Sequence, residues 1–283
     1  MQSTINIIIR WLGNLLLPFT IFLATVVHSS HGQQQDPSTL NGGSILAMTG
    51  DGCVAVVVDK RYGSGSQMIN VSPRTVLLPS PTVIVGFTGL GGDVLTVADE
   101  LSEQLSSRMD RTLGGVGFVG GEVLREGGGA QPYGSVGPNL VSSLLSHMLY
   151  NRRGYFVEPV IAGLDVVTTF EDNGEETGPG DVVLNGEKSK CVRYVPYLCA
   201  QDMIGARSQS SSFVCSGAAS NSLYGIAEAM WRPGLKPEEL VSVCGRAFLS
   251  ALERDCLSGY GATLYIIVGG KGIIEYDLAC RND

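Results

Sequence analysis

Helical periodicity in this chain comes in two consecutive pairs, each bracketed by short apolar runs of strand type, and a doubly wound parallel sheet is not built that way. The first pair reads from Val94, Val97, Ala98, Leu101 and Leu105, then from Leu140, Leu144, Leu145, Met148 and Leu149. Spacings of three and four put each set on one helical face. Asp93 sits in the first turn of the first helix, and Arg152-Arg153-Gly154 stops the second. The second pair reads from Leu223, Ile226, Ala227 and Met230, then from Leu240, Cys244, Ala247, Phe248 and Ala251, opened by Pro237-Glu238-Glu239. Strands are expected at Ser44–Thr49, Cys53–Asp59, Val83–Phe87, Val157–Leu164, Val192–Leu198, Phe213–Cys215, Thr263–Val268 and Ile273–Leu278. Asp51-Gly52 predicts a type I′ hairpin between the first two, and Gly269-Gly270-Lys271-Gly272 joins the last two. Two antiparallel sheets packed face to face, with a helix pair on each outer face, would bury every apolar stripe. The expected class is therefore α+β, a four-layer αββα sandwich.

Charge narrows the choice of function. Only 16% of the 283 residues are charged, which suits a chain that buries much of its exterior in an assembly. The net charge of −8 repels a phosphate backbone, so no nucleic-acid partner is expected. Seven cysteines (53, 191, 199, 215, 244, 256 and 280) form no CxxC pair and lie in or near apolar runs. They read as free buried thiols in a reducing compartment, without a zinc cluster. No metal and no cofactor is expected. Of three histidines, His28 and His31 lie near the N-terminus. His147 falls on the second helix and reads as a packed helical histidine.

Residues 1–40 form an extension. Ile5 to Val27 is almost wholly apolar, broken by Arg10, Asn14 and Pro18, and is long enough to span a bilayer. A signal or anchor, a dispensable extension and a mis-assigned start are the three readings. No basic cluster precedes the apolar run, and the cysteine pattern argues against export, so an extension foreign to the fold is preferred over membrane association. Asn70-Val71-Ser72 would be a glycosylation sequon only in a secreted chain. The folded domain then runs over 41–283, with two insertions. The first, near 113–130, is glycine-rich and contains Gly115-x-Gly117-x-x-Gly120. That string follows a helix, not a strand, so it reads as a surface loop and not a nucleotide site. The second, near 170–190, is acidic and solvated.

Arg254-Asp255-Cys256-Leu257-Ser258-Gly259-Tyr260-Gly261 places a carboxylate and a hydroxyl three residues apart, between the fourth helix and a buried strand. Four other blocks accompany it in order: Asn41 to Met48, Gly52 to Arg61, Gly89 to Ala98, and Tyr155 to Asp165. On these residues the body resembles the 20S proteasome β-type subunits, within the N-terminal nucleophile hydrolases. The extension and both insertions fall outside the resemblance.

The resemblance implies a specific chemistry in active members. Self-cleavage behind a glycine exposes a threonine whose hydroxyl attacks the peptide carbonyl and whose amine is the base. A lysine held by an aspartate adjusts the proton equilibria, and an Asp-x-x-Ser-Gly turn orients the amine. Carried onto this chain, the nucleophile position falls on Gly43 and the strand-end aspartate on Asp59. The lysine position falls on Thr75, and the serine that follows a glycine falls on Ala218. The turn keeps Asp255 and Ser258. The site is thus degenerate, and no catalytic residue is expected. Asp59 then ends its strand and pairs locally beside Lys60 and Arg61, while Asp255 and Ser258 bond backbone amides at the helix end. Gly42 and Gly43 let the entering strand approach its neighbours.

The implied role is a non-catalytic structural subunit of a seven-membered β ring, contacting other β subunits, the α ring and the opposing β ring, in cytoplasm and nucleus. The alternative is an active threonine/serine-type peptidase that starts at Ser44 after cleavage behind Gly43. A one-residue slip would turn Ser44 to the opposite strand face, which argues against it. Asp283 could meet a cation at an interface, and no such site is assigned.

Overall fold

The computed structural model describes residues 40–64, 67–71, 73–112, 136–152, 154–171, 189–255 and 257–280. All of them belong to one unit, Pro37–Asp283, whereas the unit Met1–Asp36 lies outside the described residues. The elements are β1 (Leu40–Gly42), β2 (Ser44–Thr49), β3 (Cys53–Asp59), β4 (Tyr62–Ser64), β5 (Gln67–Asn70), β6 (Val76–Ser80) and β7 (Val83–Gly89). The first helix pair follows, α1 (Gly91–Thr112) and α2 (Pro138–Asn151). Then come β8 (Val157–Glu171), β9 (Ser189–Gln201), β10 (Arg207–Ser210) and β11 (Phe213–Gly217). The second pair, α3 (Ser220–Met230) and α4 (Pro237–Leu252), precedes β12 (Ala262–Val268) and β13 (Gly272–Leu278).

Two five-stranded sheets form, ordered β11-β2-β3-β12-β13 and β10-β9-β8-β7-β6, and every pairing in them is antiparallel. The layers follow from where each apolar face goes. Ile45 and Ala47 of β2 join Val54, Val56, Ile84, Val160, Ala162 and Leu198 between the sheets. Leu46 and Met48, on the other face of the same strand, pack on Leu223, Leu240, Cys244 and Phe248 of α3 and α4. The second sheet buries Val83, Val85, Phe87 and Ile161 under Val97, Leu101, Leu145 and Leu149 of α1 and α2. The expected four-layer sandwich is the observed one. It also explains why β2 and β3 are buried at every residue and show no polar alternation: both of their faces are covered.

Several local expectations needed correction. Asp51 does not have the positive φ that a type I′ turn requires; Gly52 does, at 61°. The Asp51 N–H instead donates to Leu235 O at 2.8 Å, so a tertiary contact shapes that turn. On α2 the buried stripe uses Val141 in place of Leu140, which is 39% exposed. His147 is exposed on the opposite side of that helix and shares a 2.8 Å hydrogen bond with Asn151, so it is not a packed residue. Strands β8 and β9 run well beyond the expected Val157–Leu164 and Val192–Leu198, because they continue as a ladder from Val160↔Ala200 to Glu171↔Ser189. The acidic segment between them, 172–188, lies outside the described residues, as do Leu113 to Ala130 with the Gly115-x-Gly117-x-x-Gly120 string, Ile5 to Val27, Ser72 and Asp283. Among the described residues, no helix is long and apolar enough to cross a membrane.

Polar short strands were not legible. β4 and β5 form a hairpin that pairs with β1 in a third, three-stranded sheet, with Gly42 opposite Tyr62. All of β5 is exposed, so no burial pattern marks it in the sequence. The free thiols Cys53, Cys199, Cys215 and Cys244 are buried. Burial pushes Cys53 up to about 11 and Cys215 up to about 12, which keeps both protonated and inert.

Candidate functional site

The site forms where β2 begins. Gly43 joins β1 to β2 with φ of 63°, a left-handed conformation that a side chain adopts only under strain. A Cβ added there would sit 3.4 Å from the Asp59 Cβ, so position 43 faces the end of β3. Gly217 closes the other side, with φ of 95° and its backbone tight against Gly43 and Ser44. The Ala218 N–H donates to Gly43 O at 3.3 Å.

Ser44 is fully buried, and its Oγ accepts the Ala219 N–H at 2.9 Å. It lies 3.4 Å from Ser258 Oγ. The Ser258 hydroxyl donates to Asp255 Oδ2 at 2.6 Å, so in the Ser44–Ser258 contact Ser44 is the donor. The hydroxyls thus form a directed chain from the start of α3 to the loop after α4. As expected, strand alternation turns Ser44 to the face opposite that of Ile45 and Ala47. Alternation does point it to the helix-facing side, but the loop bearing Ser258 lies on that side too.

Asp255 Oδ1 accepts the Leu257 N–H at 3.1 Å, as expected for a carboxylate where a helix stops. Ser258 bonds a carboxylate and a hydroxyl and not the expected backbone amide. Asp59 is 1% exposed. It does not pair with Lys60, which reaches Asp277 at 2.7 Å. Its partners are backbone amides: Oδ1 accepts from Arg61 at 3.1 Å and Oδ2 from Gly259 at 3.4 Å. Burial pushes the Asp59 carboxyl up to about 7; those amides and the Arg61 charge pull it down by less. Thr75 is buried and lines the same 290 Å³ cleft as Asp59, together with Glu275 and Asp277.

Of the six positions named from the sequence, Gly43 abuts Asp59 and Ala218, Ser258 bonds Asp255, and Thr75 shares a cleft with Asp59. Sequence reasoning missed the contributions of Gly217 and of Arg61, whose guanidinium donates to Leu257 O. It also missed a polar clamp between the sheets. Thr88 and Ser216 share a 2.7 Å hydrogen bond, and Ser216 donates to Glu158 Oε2 at 3.1 Å. The only signal for these was an ordinary hydroxyl in an apolar strand. Among the described residues, no group of three His, Cys, Asp or Glu side chains could hold a metal ion.

The Ser44 hydroxyl acts as a tertiary cap for α3, whose own N-cap, Ala219, offers no side-chain bond. Ser44→Ala is expected to lower the unfolding free energy by about 2 kcal/mol, because it leaves the buried Ala219 N–H unpaired. Chemical denaturation of the two chains would measure this, and a loss within 0.5 kcal/mol, the level of a neutral surface change, would refute the cap.

Known proteins resemble this chain in sequence. A family model described as "Proteasome subunit" matches residues 39–112 and 191–267. The chain is 32% identical over 248 residues to proteasome subunit beta type-3 of Drosophila melanogaster, covering 86% of this chain and 97% of that protein. Against the beta type-3 subunit of Trypanosoma brucei brucei it is 34% identical over 238 residues, covering 82% and 93%. Against that of Saccharomyces cerevisiae it is 33% identical over 251 residues, covering 88% and 99%. With a family model matching more than half of the chain and relatives above 30% identity over most of it, this chain belongs to the proteasome subunit family.

Proposed function

We propose that this chain is a non-catalytic structural β subunit of the 20S proteasome core particle, required for ring assembly in ubiquitin- and ATP-dependent protein degradation. Gly43 carries the reading: it stands at the nucleophile position of the family without a hydroxyl. Its backbone is also engaged on both sides. Upstream, Gly42 pairs with Tyr62 in a sheet; at Gly43 itself the carbonyl accepts from Ala218. The remaining hydroxyls, Ser44 and Ser258, are buried and committed to each other, to Ala219 and to Asp255. Thr75 supplies no cation to Asp59. In this reading the chain takes one place in a seven-membered β ring and touches the α ring and the opposing β ring, in cytoplasm and nucleus. The β-type body is 41–283, residues 1–40 are an extension outside it, and the segments near 113–130 and 170–190 are insertions.

Fractionation of native extract by size, with mass spectrometry of the co-migrating chains, tests the assembly role. The expected result is this chain in one particle with α- and β-type subunits. Recovery of the chain alone, at about its own mass, would refute it. The alternative, a peptidase starting at Ser44, predicts a mature N-terminus at Ser44 and a covalent adduct there with an electrophilic peptide inhibitor. The expected outcome is neither, since the Ser44 hydroxyl is inaccessible.

A further inference from the structure

The turn between β9 and β10 is held rigidly, and it shows its apolar side chains to solvent. Asp202 Oδ1 accepts two amides, from Ile204 at 3.0 Å and from Ala206 at 2.7 Å, and the Gly205 N–H donates to Asp202 O at 3.0 Å. Gly205, with φ of 81°, lies against the backbone of α2, where a Cβ would come within 2.5 Å of Ser146 O. Ser146 Oγ donates to Gly205 O at 2.6 Å, and the Arg207 guanidinium donates to Ser143 Oγ at 3.1 Å. At the base of the turn, Gln201 Nε2 donates to Ser142 O at 2.7 Å. Serines 142, 143 and 146 of one helix thus brace the turn. The side chains it presents are Met203, 42% exposed, and Ile204, 59% exposed. Tyr150, one helical turn beyond Ser146, is exposed as well. Large apolar side chains clustered on a rigid support have the anatomy of a binding anchor, because little ordering entropy is lost when they dock.

We propose that this turn anchors a head-to-tail contact with a neighbouring β-type subunit, seated on the opposite edge of that neighbour's fold. The inference rests on the assembly role above and names a surface for it. The anchor stands at the β10 edge of its sheet, and β6 forms the other edge. On the β6 side a 210 Å³ pocket opens between the segment leading into β6 and the start of α1, walled by Tyr62, Pro73, Val94 and Leu95. Leu95 stands exposed beside it. A cavity of this size takes a branched aliphatic side chain. A neighbour of the same fold presents its own pocket at the corresponding place. Anchor and socket on opposite edges do not meet within one chain. Between chains they make a heterologous contact, the kind that closes rings when it repeats.

The test uses the full chain in cells that carry the particle, read by size fractionation and mass spectrometry. Met203→Ser combined with Ile204→Ser removes the anchor. Both side chains are exposed, so the urea midpoint of the chain is expected to stay unchanged. The share of the chain in the particle is expected to fall on the order of tenfold. Met203→Leu combined with Ile204→Val, which keeps the anchor apolar, is expected to retain native incorporation. A photoreactive side chain beside the native anchor, Tyr150→p-benzoylphenylalanine, is expected to give an adduct with a different β-type subunit, on the peptides that flank its β6-side pocket. Native chain absent from the particle would overturn the assembly role and this contact together. Native chain present, with the double serine variant present in equal amount, would overturn the contact alone. So would the absence of any adduct, or an adduct with an α-type subunit, with a second copy of this chain, or with another face of the neighbour. The adduct is read on the native anchor, so it decides the matter even where the serine variant fails to fold.

Discussion

Gly217→Ala is expected to lower the unfolding free energy by at least about 3 kcal/mol. Two independent terms add at this residue. Its φ of 95° is open to glycine and strained for alanine. The new Cβ would also lie 2.3 Å from Gly43 O and 2.9 Å from Ser44 Cα. Both obstacles are backbone, so no rotamer change relieves them. Gly217 pairs with Ser44 at the end of the β11–β2 ladder, so β11 has to move away from β2. That movement would break the Ala218–Gly43 and Ala219–Ser44 hydrogen bonds with it. Urea denaturation of the full chain gives the loss directly. A change smaller than about 1 kcal/mol, the size of an ordinary substitution, would show that the junction yields easily and is not the rigid point described above.

The second large effect concerns the buried Asp59 carboxyl. Burial raises the folded-state carboxyl from 3.8 to about 7. The proton is therefore held more tightly in the folded chain than in the unfolded one. Stability from this group is complete below about pH 4, declines as pH rises, and is lost once pH has passed through 7. A shift of that size corresponds to roughly 4 kcal/mol. Thr75→Lys would place an ammonium in the shared cleft and return the carboxyl toward its ordinary range. The variant is expected to exceed the native chain by about 2 kcal/mol at pH 7.5, after the lysine's own desolvation is subtracted, and to lose that advantage below pH 4. Denaturation at the two pH values measures the difference. Equal stabilities at both would show that the Asp59 charge is already compensated.

Much of the architecture was readable without coordinates, for a plain reason. The α1 and α4 stripes, Val94 to Leu105 and Leu240 to Ala251, are buried as their spacing implied. Helical period reports burial directly when one face of a helix meets a sheet. Strands β2, β3 and β12 were legible because coverage on both faces makes their interiors mostly apolar. The same logic explains the misses. β5 is exposed throughout and β10 largely so; neither leaves a hydrophobic trace, and each exists because a neighbouring strand offers hydrogen bonds. His147 was misplaced because a polar residue within an apolar stretch does not declare which side of the helix it takes.

The linear order of residues determined the layer count and the pairing of helices, since each is a property of residue type at a given spacing. Only the folded chain decided that Ser44 reaches Ser258, that Asp59 is gripped by amides and not by the Lys60 ammonium, and that Gly217 presses on Gly43. Those contacts join residues between 2 and more than 200 positions apart. Their distances depend on how two sheets and the loop after α4 converge in space, and a side chain carries no information about that until its neighbours are packed.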